Sequence, residues 1–155
     1  MDISTRIRNW YQSHSIYFPE QIDLDRIADL IGLSVYYLPH RSCCLKIDGH
    51  YDLVVDRREE RTVQRVHLAH EIGHAVLHTG NQTENITWGR LRQEYQARKF
   101  AFEALVPSFM LQSISILTES LSSLAERFRV PEPWMYERLI WQQERVAERG
   151  IEYCW

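Results

Sequence analysis

His70-Glu71-Ile72-Gly73-His74 is an H-E-x-x-H string set inside the longer run from Val66 to His78. Helical residues turn by about 100° each, so His70 and His74 fall about 40° apart and one turn removed. Two imidazoles so placed can hold one Zn²⁺ at about 2.0–2.1 Å from each ring nitrogen. Glu71 projects about 60° from His74 on the same side, beside such an ion, where a carboxylate can take a proton from a water on the metal. That order of ligand, base and ligand suits zinc-dependent hydrolysis, although a string with three fixed positions also arises by chance.

A catalytic zinc needs a third protein ligand. Between His74 and Pro107 the acidic choices are Glu84, Glu94 and Glu103. Glu84 sits among Asn81, Gln82, Thr83 and Asn85, a loop composition that fixes nothing. Leu91 to Val106 reads as a helix ended by Pro107. On its wheel Ala97, Ala101 and Leu105 lie within about 60° of Glu94, while Glu103 lies about 180° away and is expected to point at water. Small residues beside Glu94 would let this helix approach the histidine helix closely, which makes Glu94 the preferred third ligand. An ion pair with Arg98, one turn on, is the alternative use of that carboxylate.

The remaining histidines are weaker. His67 and His78 lie about 60° and 80° from His70 on the same stripe and could support the ligands or an oxyanion. The expectation is that both are partly exposed residues at the helix ends. The glycine and third histidine of the longer H-E-x-x-H-x-x-G-x-x-H signature would fall at Leu77 and Gly80, so that ligand set is excluded. His14, His40 and His50 have no metal-type spacing and read as surface residues.

Several elements must hold this constellation in place. Val63, Val66, Ala69, Ile72, Val76 and Leu77 give the histidine segment helical periodicity, and Thr79-Gly80-Asn81 is its stop signal. Gly73 inside that helix costs about 1 kcal/mol against alanine, and close approach of another backbone is the expected reason. Upstream, Ile3 to Ser13 reads as a helix, followed by Leu24 to Ile31 with Asp23 as N-cap and Gly32 as terminator. Ser34–Leu38, Cys43–Ile47 and Tyr51–Val55 are strand-like, with Asp48-Gly49 as a hairpin turn. They are expected to form a three-stranded antiparallel sheet against the zinc helix. An edge strand of that sheet could pair with an extended peptide, or the sheet could be purely structural.

Composition bounds the class. The 155 residues, 45% hydrophobic and 25% charged, suit one domain with a real core. It divides into N-terminal helices (1–33), the small sheet (34–56), zinc-binding helices (57–107) and C-terminal helices (108–155). A formal charge of −3 gives no general pull toward nucleic acid or anionic membrane. The start lacks a signal-peptide pattern, and no stretch is apolar for long enough to span a bilayer. Cys43, Cys44 and Cys154 make no disulfide framework, so a cytoplasmic location is expected. The adjacent Cys43 and Cys44 would face opposite sides of a strand rather than share a metal.

The run from Val66 to His78, followed by Glu94-Tyr95-Gln96-Ala97-Arg98-Lys99-Phe100-Ala101 and then Leu105-Val106-Pro107, resembles the ImmA/IrrE family of metallopeptidases. Leu124-Ala125-Glu126-Arg127-Phe128-Arg129-Val130 resembles that family's downstream segment, while Val106 stands where methionine is frequent. The resemblance implies an α+β, zincin-like minimal metallopeptidase domain of gluzincin type. In it His70, His74 and Glu94 hold Zn²⁺ and Glu71 is the catalytic base. It further implies a protein substrate, often a helix-turn-helix repressor of a phage or mobile element. His78 and Tyr95 are the candidates to assist the oxyanion.

A non-proteolytic, metal-dependent sensor that works by binding protein or DNA is the alternative. Asp25 to Ser34 resembles the first half of a DNA-binding helix-turn-helix, and so does Leu121 to Leu139, where Arg138 is the basic residue of the second helix. Glu132 and Glu137 beside it argue against a phosphate-reading surface. Oligomeric state is not legible.

Overall fold

The computed structural model describes residues 2–77, 88–114 and 118–152. Among them the element order is α1 (Ile3–Ser13), a 3-10 turn at Pro19–Gln21, α2 (Leu24–Leu30), β1 (Ser34–Leu38), β2 (Cys43–Ile47) and β3 (His50–Asp56). Five helices follow: α3 (Arg61–Leu77), α4 (Trp88–Leu105), α5 (Ser108–Gln112), α6 (Leu121–Phe128) and α7 (Glu132–Glu152). The fold is α+β. The stop signal at Thr79-Gly80-Asn81, along with His78, Glu84 and Cys154, lies outside the described residues.

The first helices form as their caps dictate. Asp2 accepts the Thr5 N–H at 2.8 Å and Asp23 accepts the Arg26 N–H at 3.1 Å, satisfying donors that a helix start leaves open. Gly32 terminates α2 at φ +78°, a conformation that suits glycine. The turn between β2 and β3 has positive φ at Asp48 and Gly49, as a tight hairpin with right-handed strand twist requires.

The sheet differs from the expected antiparallel one. Its order is β1-β3-β2, with β1 parallel to β3 and β2 antiparallel to β3. The physical reason lies in β3 itself. Leu53, Val54 and Val55 are all buried, an unbroken apolar run that a central strand tolerates and a half-solvated edge does not. β3 therefore inserts between its two predecessors and leaves β2 as an edge.

Helix α3 lies against the sheet on one side and α4 on the other. Leu68, Ala69, Ile72 and Ala75 bury its apolar face in the core. Gly73 is where α4 comes nearest. A Cβ placed there would lie 3.1 Å from the Ala97 Cα, 3.1 Å from the Ala97 carbonyl oxygen and 3.2 Å from the Phe100 Cβ. The expected close backbone approach is present.

The C-terminal half of α4 departs from expectation. Glu103 does not face water but is 1% exposed, with Phe102, Ala104 and Leu105 buried around it. The wheel assumed one apolar face, yet α1, α3 and α7 together enclose this half. Tyr11 of α1 donates its hydroxyl to the Ala104 carbonyl at 2.6 Å. Arg138 of α7, 0% exposed, donates to the Phe102 and Val106 carbonyls and pairs with Glu103 at 3.3 Å. Ser108 N–H and Arg145 reach the same carboxylate at 3.1 and 3.2 Å. Arg138 is thus a buried cap on α4 and cannot be the nucleic-acid contact that the helix-turn-helix reading assigned to it. Among the described residues no helix is long and apolar enough to cross a membrane.

Gly73→Ala tests the helix contact. Propensity alone favours alanine by about 1 kcal/mol. The Ala97 backbone cannot swing aside as a side chain could, so the variant is expected to lose about 1–3 kcal/mol. Urea denaturation measures it, and an unchanged or raised midpoint would show that α3 and α4 separate freely.

Candidate metal and hydrolytic site

The close approach at Gly73 sets α4 so that Glu94, one turn before Ala97, meets the histidines of α3. His70 Nε2 and His74 Nε2 are 3.1 Å apart, with their rings nearly perpendicular at 83°. Glu94 Oε2 lies 3.1 Å from His70 Nε2, and Oε1 lies 3.5 Å from His74 Nε2. The alternative partner of Glu94 is engaged elsewhere, because Arg98 pairs with Glu137 of α7.

These separations bear on whether the trio can hold a metal. A tetrahedral ion with bonds of about 2.0–2.1 Å separates neighbouring donors by about 3.3 Å. The observed 3.1, 3.1 and 3.5 Å bracket that edge. Two imidazole nitrogens and a carboxylate are a donor set that zinc accepts. Among the described residues, His70, His74 and Glu94 are the group whose ligand atoms cluster within 4.8 Å. Glu94 is half exposed and the histidine side chains are 27% and 20% exposed, so the cluster opens to solvent on the carboxylate side. The face of α4 that carries Glu94 is the one that meets the histidines, and the carboxylate there is half exposed.

Glu71 is 8% exposed, at the base of the same cleft. Burial, reinforced by the Glu94 charge and opposed by Arg41, raises its carboxyl to about 7. A cation at the trio would act in the opposite sense. The carboxyl is thus held beside the donor cluster in a dry setting where its proton affinity is high.

The cleft measures about 1910 Å³, well above the roughly 300–1,000 Å³ of a small-molecule pocket. It is lined by the loop before β2 and β2 itself, by α3, by α4 and by Trp134 of α7. Tyr95 lines it at 57% exposure. His67 is not a helix-end residue: it sits within α3, partly buried, with Nδ1 3.2 Å from Ser42 Oγ. His14, His40 and His50 are exposed as expected. Cys43 and Cys44 are free, and burial raises both thiols, Cys44 to about 11. Arg41, Ser42 and Trp134 were missed. They come from remote segments, and no spacing relative to His70 could have found them.

Residues 27–139 match a peptidase family described as the IrrE N-terminal-like domain, and the chain belongs to that family. It is 30% identical over 150 residues to the phage-like element PBSX protein XkdA of Bacillus subtilis strain 168, covering 95% of this chain and 75% of that one. It is 31% identical over 137 residues to the uncharacterized protein YqaB of the same strain, covering 86% and 79% of the two chains.

Replacing the two glutamates of α4 should have opposite effects. Glu94→Ala should lose metal on dialysis yet change stability by no more than about 0.5 kcal/mol, since the side chain is half exposed. Glu103→Ala strands Arg138 in the core and should cost about 3–5 kcal/mol. Metal analysis and thermal melts read the pair, and equal metal retention in the two would remove Glu94 from the site.

Proposed function

We propose that this chain is a zinc-dependent endopeptidase in which His70, His74 and Glu94 hold the ion and Glu71 is the catalytic base. The observation that carries the reading is the convergence of those three donors beside a buried carboxylate, in one large cleft. Zinc bound there would supply a Lewis acid and lower the pKa of a water toward 7. Glu71 takes the proton from the water that attacks the peptide carbonyl carbon. As the C–N bond breaks, Glu71 delivers that proton to the departing amine. No proton is left over, and the carboxylate is regenerated.

Strand β2 gives the substrate a place to lie. One side of Cys43–Ile47 pairs with β3, and among the described residues no strand covers the other. An extended polypeptide adding to that edge would run along the cleft past the trio. The family implies a protein substrate, and the similarity to a phage-like element protein is compatible with a phage or mobile-element setting. A helix-turn-helix repressor is the substrate we assign.

The test pairs the zinc-loaded protein with a helix-turn-helix repressor of a phage or mobile element, with cleavage followed by mass spectrometry. Wild type should cut at defined bonds. Glu71→Gln should keep its zinc but slow cleavage by at least about 10²-fold. Chelation should abolish cleavage and added zinc restore it. An intact repressor with the wild-type protein would overturn the substrate, and full activity in Glu71→Gln would remove the base.

A further inference from the structure

We propose that His67 is a substrate-binding residue: held by Ser42 in the tautomer that carries its proton on Nε2, it donates that N–H to a backbone carbonyl of the bound polypeptide. This rests on the peptidase reading above. His67 lies one helical turn before His70, about 4.5 Å nearer the start of α3 along its axis, on the face that lines the cleft.

Ser42 is the group that would set the tautomer. Its Oγ accepts the Asp56 N–H at 2.9 Å and lies 3.2 Å from His67 Nδ1. A serine hydroxyl has one proton and two lone pairs. The Asp56 N–H occupies one lone pair; in the proposed arrangement the hydroxyl proton points to Nδ1 and the second lone pair is not used by the ring. A neutral imidazole that accepts at Nδ1 carries its hydrogen on Nε2. The Asp56 carboxylate does not compete for the ring, because Arg58 grips it with Nε at 2.8 Å and a terminal nitrogen at 2.6 Å.

Position supplies the role. Ser42 immediately precedes β2, and His67 lines the cleft together with His70 and with Cys43, Cys44 and Lys46 of that strand. A polypeptide added to β2 and directed at the trio passes His67 one turn before it reaches the metal ligands. A fixed N–H donor there meets a chain whose every residue offers a carbonyl acceptor. Pinning the 39–42 loop onto α3 would be a merely structural use of the same hydrogen bond, and the two uses differ in what they predict.

Side-chain ¹⁵N spectra of the protein at about pH 8, where unperturbed imidazole is neutral, should show His67 protonated at Nε2 and bare at Nδ1. Ser42→Ala should mix the two forms. A ring protonated at Nδ1 in the wild type would overturn the proposal. For binding, zinc-loaded Glu71→Gln is titrated with reduced, carboxymethylated α-lactalbumin, an unfolded polypeptide. Adding His67→Ala should weaken binding by about three- to tenfold with zinc content unchanged, and His67→Gln should recover part through its amide N–H. Equal affinity in all three, or no binding with zinc in place, would overturn the proposal. Failure of every variant, wild type included, to retain zinc would strike the metal reading instead. The spectra would then still decide the Ser42–His67 link.

Discussion

Two helices can cross at side-chain distance or, where one of them has no side chain, closer. At Gly73 the second case applies, and α4 sits 3.1 Å from the point where a Cβ would stand. Everything at the cleft depends on that contact. Ala97 touches Gly73, Glu94 is one turn earlier on α4, and His70 and His74 bracket the glycine on α3. Side-chain distance would add more than an ångström to a set of donors whose separations already match a tetrahedral edge. Glycine therefore serves here as a spacer of minimum thickness, and its helix-propensity cost of about 1 kcal/mol is a small term beside the geometry it secures.

Three glutamates on these two helices occupy three different environments, and each suits a different task. Glu94 is half solvated, so its charge costs little to maintain and its oxygens can approach two imidazoles. Glu71 is nearly buried and has its proton affinity raised by that burial. Glu103 is fully enclosed, and its charge is met by Arg138, Arg145 and Ser108. Buried pairs of this kind give little net stability against an apolar alternative. What they supply is orientation, since the end of α4 can dock in one arrangement only. The helix that carries Glu94 is thus held close near its middle by a missing side chain and at its end by a buried arginine.

Local signals were readable where local physics decides. Asp2 was not singled out, but Asp23, Gly32 and the Asp48-Gly49 turn were, and each behaves as capping and turn chemistry require. The i, i+4 histidines and the face carrying Glu94 followed from helical angles, and the close approach at Gly73 from its propensity cost. Sheet order was not legible. The strand segments were right, but the uninterrupted Leu53-Val54-Val55 run needed to be read as a central strand before β1 could be moved to the far side. Glu103 was misplaced for a related reason. A wheel describes one helix against one neighbour, whereas the last turns of α4 have three. Arg41, Ser42 and Trp134 join the cleft through long-range folding alone, beyond any rule of spacing.

The arginine under α4 also imposes an order in time. A ribosome delivers Phe102, Glu103 and Val106 well before Arg138, a separation of 35 residues between the paired charges. Until α7 emerges, the last carbonyls of α4 lack their donor and Glu103 has no Arg138 to meet it. Helix α4 then has no charged partner to bury that end against. The end of α4 therefore completes its hydrogen bonds only with a helix that is supplied later in the chain.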